Sequence, residues 1–131
     1  MNDKKKYKIL IIDDEKSILD MFTTKFKNEG FEVFTEVNGL NGLTSATKHK
    51  PDIILLDIMM PGIDGFETLR SFRQNTSLDV IIVIFTNLGN KQEDIDKAFE
   101  MGANEYMLKA SFTPEEVFQS VMKLIKEKNK S

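Results

Sequence analysis

Residues 52–67 read DIILLDIMMPGIDGFE. Four consecutive apolar residues, Ile53–Leu56, stop abruptly at a carboxylate, Asp57. A strand that is apolar at every position, rather than at alternate ones, is covered on both faces, as in a parallel sheet. The stretch Met59–Met60–Pro61–Gly62 then reads as a turn. Beyond it Phe66, Leu69 and Phe72 fall at i, i+3 and i+6, one face of a helix. The segment is therefore a buried strand, a carboxylate at its carboxyl end, a turn and an amphipathic helix.

The same unit recurs outward in both directions. Further β-branched runs stand at Tyr7–Ile12, Glu32–Glu36, Val80–Phe85 and Glu105–Leu108. Between them lie helical patterns: Ile18, Phe22 and Phe26; Leu40, Leu43 and Ala46 within Gly39–Lys48; Ile95 with Phe99; and Val117, Val121 and Leu124. Asp64 with Glu67, Asn90 with Glu93, and Thr113 with Glu116 have capping-box spacing. Pro114 fits a first helical position, and Gly30 and Gly102 fit C′ positions. Five β-α units with short connections predict an α/β domain with a parallel sheet and helices on both faces. The second and fifth runs are the more polar, so they belong at the edges. That selects the strand order 2-1-3-4-5 of flavodoxin-like, doubly wound sheets. A single domain is expected over residues 1–131, its core about 7–127, with a short basic arm and a polar tail.

Composition narrows the chemistry. The chain has no Cys and one His, His49, which excludes disulfide scaffolds, zinc ribbons and multi-histidine metal sites and argues against a Ser-His-Asp triad. Its 18 basic and 21 acidic residues give a net charge of −3, a poor match for nucleic acid as the main partner. No apolar run approaches the roughly 18 residues that span a bilayer, and MNDKKKYK does not begin a signal peptide. A cytoplasmic protein with no membrane or direct nucleic-acid partner is expected.

In a sheet of this order ligands bind beyond the carboxyl ends of the strands, at the switch point between strands one and three. Strand one ends in Asp13, Asp14 and Glu15, strand three in Asp57, strand four in Thr86 and Asn87, and strand five in Lys109. Taken singly these have plain readings: Asp14 as the N-cap of the first helix, Thr86 as an ordinary strand residue, Lys109 as a surface lysine. Taken together they place three carboxylates, a hydroxyl and an ammonium on one edge. Clustered carboxylates repel and call for a cation, and oxygen-only ligation with few protein ligands suits Mg²⁺ completed by phosphate oxygens. A carboxylate can attack phosphorus. If Asp57 carries the resulting acyl phosphate, Mg²⁺ and Lys109 bring the site close to neutrality.

These residues give the sequence its resemblance to the receiver domain of two-component response regulators, carried by ILIIDDE (Ile9–Glu15), DIILLDIMMPGIDGFE (Asp52–Glu67), IIVIFT (Ile81–Thr86) and YMLK (Tyr106–Lys109). The resemblance implies that Asp57 accepts a phosphoryl group from a histidine kinase or phosphotransfer protein. It implies that Asp13, Asp14, Asp57 and the backbone carbonyl of Met59 hold Mg²⁺. Thr86 and Lys109 would bind the phosphoryl oxygens, and Tyr106 would be the switch aromatic. A downstream protein or output domain would read the fourth helix, fifth strand and fifth helix, around Lys91–Met101, Tyr106 and Glu115–Val121. Such a domain is not an enzyme beyond its own phosphoryl transfer and dephosphorylation.

Three departures from the family pattern stand out. Ala110 replaces the usual Pro after the lysine, and the family's cis bond is expected to persist at Lys109–Ala110. Asn87 replaces a very small residue and is expected to crowd the phosphoryl site and hinder an attacking water. Asn104–Glu105 replaces an acidic pair, and no Arg follows Arg73, so a monomer is expected. Two other classes compete. A degenerate receiver would bind partners without phosphorylation, yet every pocket position is filled. An aspartyl phosphatase would carry a second Asp where Met59 stands. Flavodoxin itself is excluded, since no Ser/Thr/Gly-rich loop follows strand one to cradle a flavin phosphate.

Overall fold

The computed structural model describes residues 6–60, 65–75, 78–89 and 91–130. Its elements are β1 (Lys8–Ile12), α1 (Lys16–Asn28), β2 (Glu32–Glu36), α2 (Gly39–His49), β3 (Ile53–Leu56), α3 (Gly65–Gln74), β4 (Ile81–Thr86), α4 (Gln92–Glu100), β5 (Glu105–Leu108) and α5 (Pro114–Asn129). All strand pairs are parallel, and the order is β2-β1-β3-β4-β5. The first and fourth strands run one residue later at their starts than the sequence pattern suggests.

The period of two along each strand divides the core. Ile9, Ile11, Ile53, Leu55, Val83 and Phe85 face α1 and α5, where they meet Phe22, Phe26, Val117 and Val121. Leu10, Ile12, Ile54, Leu56, Ile82 and Ile84 face α2, α3 and α4, against Ala46, Leu69, Phe72 and Ala98. The three central strands are buried at every position, apart from the half-buried Lys8 that opens β1. Edge strand β2 has no buried residue.

Helix ends follow local chemistry. Thr113 and Glu116 form a reciprocal capping box with Pro114 in the first turn of α5. Gly30 and Gly102 take positive φ, 91° and 110°, just past α1 and α4. Asn38, whose side chain accepts the Asn41 N–H, caps α2. Asp64 and Asn90, read as caps, lie outside the described residues.

Two helix faces differ from the periodicity. Leu40 is 60% exposed and Phe99 is 44% exposed. In α2 the packed face is Gly39, Gly42, Ser45 and Ala46. A Cβ at Gly42 would collide with Ile12, so the helix approaches the sheet too closely for large side chains. In α4 only Ala98 is fully buried, and Ile95 is half-buried. No helix among the described residues is long and apolar enough to cross a membrane.

Candidate functional site at the carboxyl edge of the sheet

The parallel order brings the carboxyl ends of β1 and β3 together. The Asp57 N–H donates to the Ile12 carbonyl (3.0 Å) and the Asp13 N–H to the Glu36 carbonyl (3.1 Å), so both acids continue the strand pairing. Their side chains are 3% and 2% exposed. Asp13, Asp14 and Asp57 each offer a carboxylate oxygen within 4.8 Å of the others. Asp14 is exposed, and it is not the helix cap: the N-cap of α1 is Glu15, whose side chain makes no capping hydrogen bond. Asp13 Oδ1 instead accepts the Glu15 N–H at 2.9 Å.

Lys109 reaches in from the end of β5. Its Nζ lies 2.7 Å from Asp13 Oδ2, 2.8 Å from Asp57 Oδ2 and 2.9 Å from Glu15 Oε1, with the side chain 5% exposed. An ammonium has three donors, and all three are used. Burial works against the lysine charge, but the hydrogen bonds that Lys109 donates to Asp13, Asp57 and Glu15 outweigh that and hold the ammonium above the usual lysine range. Burial raises the Asp13 pKa; the Lys109 and Glu15 N–H bonds oppose that rise, and the Asp57 charge adds to it. No described peptide bond is cis. The cis bond expected at Lys109–Ala110 is therefore corrected to trans: without Pro the bond keeps its ordinary preference, and Lys109 instead opens a short 3₁₀ turn, Lys109–Ser111.

The remaining predicted residues converge on the same edge. Met59 donates its N–H to Asp57 Oδ1 at 2.8 Å, while its side chain is turned to solvent. Thr86 is fully buried, and its hydroxyl oxygen accepts the Leu88 N–H at 3.2 Å, leaving its own proton to donate elsewhere. Exposed Asn87 follows it. Tyr106 is half-buried and donates its hydroxyl to the Gly89 carbonyl at 2.9 Å. Burial, with help from Asp94, raises its pKa.

Sequence reasoning assigned no role to Glu15; its one signal was a Glu at an N-cap, where Ser, Thr, Asp or Asn is usual. It also missed Arg73, which at the opposite end of the sheet donates to the carbonyls of Gly102 (2.8 Å) and Val80 (2.7 Å) and to Asn104 Oδ1 (2.7 Å). Asn104 Oδ1 accepts the Ile82 N–H as well, so this residue ties α3 to the sheet.

The donor set fits a hard divalent cation. It is all oxygen, and two of its carboxylates already share a cation in the form of the Lys109 ammonium. Asp14→Asn is expected to raise the metal-free melting temperature by about 1–3 °C, by relieving an exposed repulsion. It should weaken Mg²⁺ binding by about tenfold or more. A metal-free melt lower than wild type would show that Asp14 supports the helix start instead.

Residues 9–122 match the family model of the response regulator receiver domain. The chain is 36% identical over 121 residues to PhoP, the alkaline phosphatase synthesis transcriptional regulatory protein of Bacillus subtilis, covering 91% of this chain and 48% of that protein. It thus spans about half the length of that relative. A CheY-like receiver domain protein from Methanospirillum hungatei superposes with a TM-score of 0.87 at 24% identity, covering 96% of this chain and 98% of the other, a likeness of fold. The BeF3-activated N-terminal receiver domain of Klebsiella pneumoniae RstA gives a TM-score of 0.79 at 29% identity, covering 89% and 96%.

Proposed function

The chain belongs to the response regulator receiver domain family, and from that premise we propose that it is a phosphorylation-activated signalling switch whose acceptor is Asp57. The observation that carries the reading is the placement of Asp57. It ends the central strand, nearly buried, bonded to Lys109 and grouped with Asp13 and Asp14.

The donor is a histidine kinase or phosphotransfer protein. A carboxylate oxygen of Asp57 attacks phosphorus, the P–N bond of the phosphohistidine breaks, and the imidazole leaves with the bonding pair. Asp13, Asp14, Asp57 and the Met59 carbonyl would hold Mg²⁺, which when bound supplies positive charge against the transferring oxygens. Lys109 donates to a phosphoryl oxygen on the other side. Thr86 donates the proton its hydroxyl does not use toward Leu88. The domain catalyses only its own phosphoryl transfer and loss, with exposed Asn87 beside the path of an attacking water.

The same geometry suggests how the signal leaves the site. Thr86 ends β4, the loop that follows it donates the Leu88 N–H to its hydroxyl, and Gly89 on that loop holds the Tyr106 hydroxyl. Drawing Thr86 toward the phosphoryl group shifts the loop, releases Tyr106 and lets its ring turn inward. This is a shift between existing states, bounded by the contacts that differ between them. The surface that changes is α4, β5 and α5, where Phe99 already stands exposed, and a downstream protein or output domain reads it.

The test is an amide NMR map with Mg²⁺ and beryllofluoride, the acyl-phosphate mimic. Shifts beyond the acidic pocket are expected to concentrate in Lys91–Met101, Tyr106 and Glu115–Val121, and to vanish in Asp57→Asn. Changes confined to α2 and α3 would refute this route.

A further inference from the structure

We propose that Glu15 is a positioning residue for Lys109: it holds the ammonium at the rim of the pocket when Mg²⁺ takes Asp13 and Asp57. This rests on the reading of the acidic pocket as a Mg²⁺ site.

Lys109 has three carboxylate acceptors. Two of them, Asp13 Oδ2 and Asp57 Oδ2, belong to the group that would ligate the metal. A divalent ion there competes directly with the ammonium for those oxygens. The third acceptor, Glu15 Oε1 at 2.9 Å, lies outside that group and stays available. Exchange of ammonium for metal therefore does not strand a charged lysine in a buried place, which is otherwise costly.

Two further features single Glu15 out. It occupies the N-cap of α1, where Asp, Asn, Ser and Thr serve best, and it makes no side-chain capping bond there. Its side chain reaches across the sheet edge to a residue 94 positions away. Its backbone, meanwhile, is fixed by the Asp13 carboxylate accepting its N–H at 2.9 Å. On the other side, Ala110 and a trans bond leave the stem of Lys109 without the ring of a proline to direct it. A carboxylate at position 15 supplies that direction from outside.

The discriminating variant is Glu15→Asp. It keeps the charge and provides a better helix cap, but falls one methylene short of Lys109. Mg²⁺ alone is titrated into the full chain by calorimetry, and the metal-free melt is recorded alongside. In Glu15→Asp, Mg²⁺ affinity is expected to fall about fivefold, a modest pairwise coupling, while the melting temperature holds or rises. Glu15→Gln should lose at least as much affinity. These opposed movements in Glu15→Asp are not what a structural role would give. Wild-type affinity in Glu15→Asp overturns the proposal, whether Glu15→Gln binds weakly, which would mark Glu15 as a distant charge, or normally. Absence of Mg²⁺ binding by the wild type would overturn the metal reading itself, and this inference with it.

Discussion

Lys109→Met is expected to destabilise the metal-free protein by about 3–5 kcal/mol, the cost of leaving a buried charge without its partner. At this chain length that is a fall of roughly 10–20 °C in melting temperature. Methionine keeps an unbranched stem, so packing changes little. The loss is electrostatic, because Asp13 and Asp57, 2% and 3% exposed, would face each other with no cation between them. Two dependences follow. Mg²⁺ should narrow the gap to wild type, since an ion held by the folded site alone would stabilise by mass action. Acidification should narrow it too. Burial already raises the Asp13 pKa, and without Lys109 the rise is larger. A carboxyl whose folded pKa is raised contributes stability that is complete below its unfolded value, about 3.9, and is lost as pH climbs through the folded value. The deficit of the variant is therefore greatest at neutral pH and above, and shrinks toward pH 4. A metal-free deficit below about 1 kcal/mol, the value of an exposed pair, would show that the ammonium does not hold these acids together.

How far the sequence reveals this site depends on what fixes each residue. Asp13, Asp57, Thr86 and Lys109 are legible because each ends or directly follows an apolar run. Once the strand order is known, such residues can only gather at one edge. The order itself is legible because the central runs are almost continuously apolar and β2 and β5 are not. Leu40 and Phe99 are misread for a common reason. Periodicity weighs large apolar residues, whereas α2 packs through Gly39, Gly42 and Ala46, and α4 through Ala98. The Lys109–Ala110 bond is misread because its expected form came from a proline this chain lacks. Glu15 is invisible as a partner of Lys109 because nothing local joins residues so far apart. Only the folded sheet edge brings them within 2.9 Å.

The second large effect concerns the acceptor itself, and it is all-or-none. Asp57 lies where a phosphoryl group would meet Lys109 on one side and the Asp13–Asp14 pair on the other. Thr86 stands at the end of the neighbouring strand β4. Asp13 is similarly buried and similarly engaged, its Oδ1 by the Glu15 N–H and its Oδ2 by Lys109 as Asp57 is by the Met59 N–H and Lys109. But it follows β1 and not β3, the strand that pairs with β4, which ends in Thr86. Asp14 is exposed, and no strand pairing fixes it. The position of Asp57, more than its chemistry, would make it the acceptor. Substituting Glu should not restore uptake, because a longer stem pushes the carboxylate past the geometry that Lys109 and the Asp13–Asp14 pair define, and misplacement of this size costs rate steeply.

The most direct measurement is the intact mass of the protein after incubation with Mg²⁺ and a small acyl-phosphate donor. Wild type is predicted to gain one phosphoryl group, Asp57→Asn to gain none, and Asp57→Glu to remain unlabelled. Uptake by Asp57→Asn at the wild-type yield would contradict the assignment of Asp57 as the acceptor.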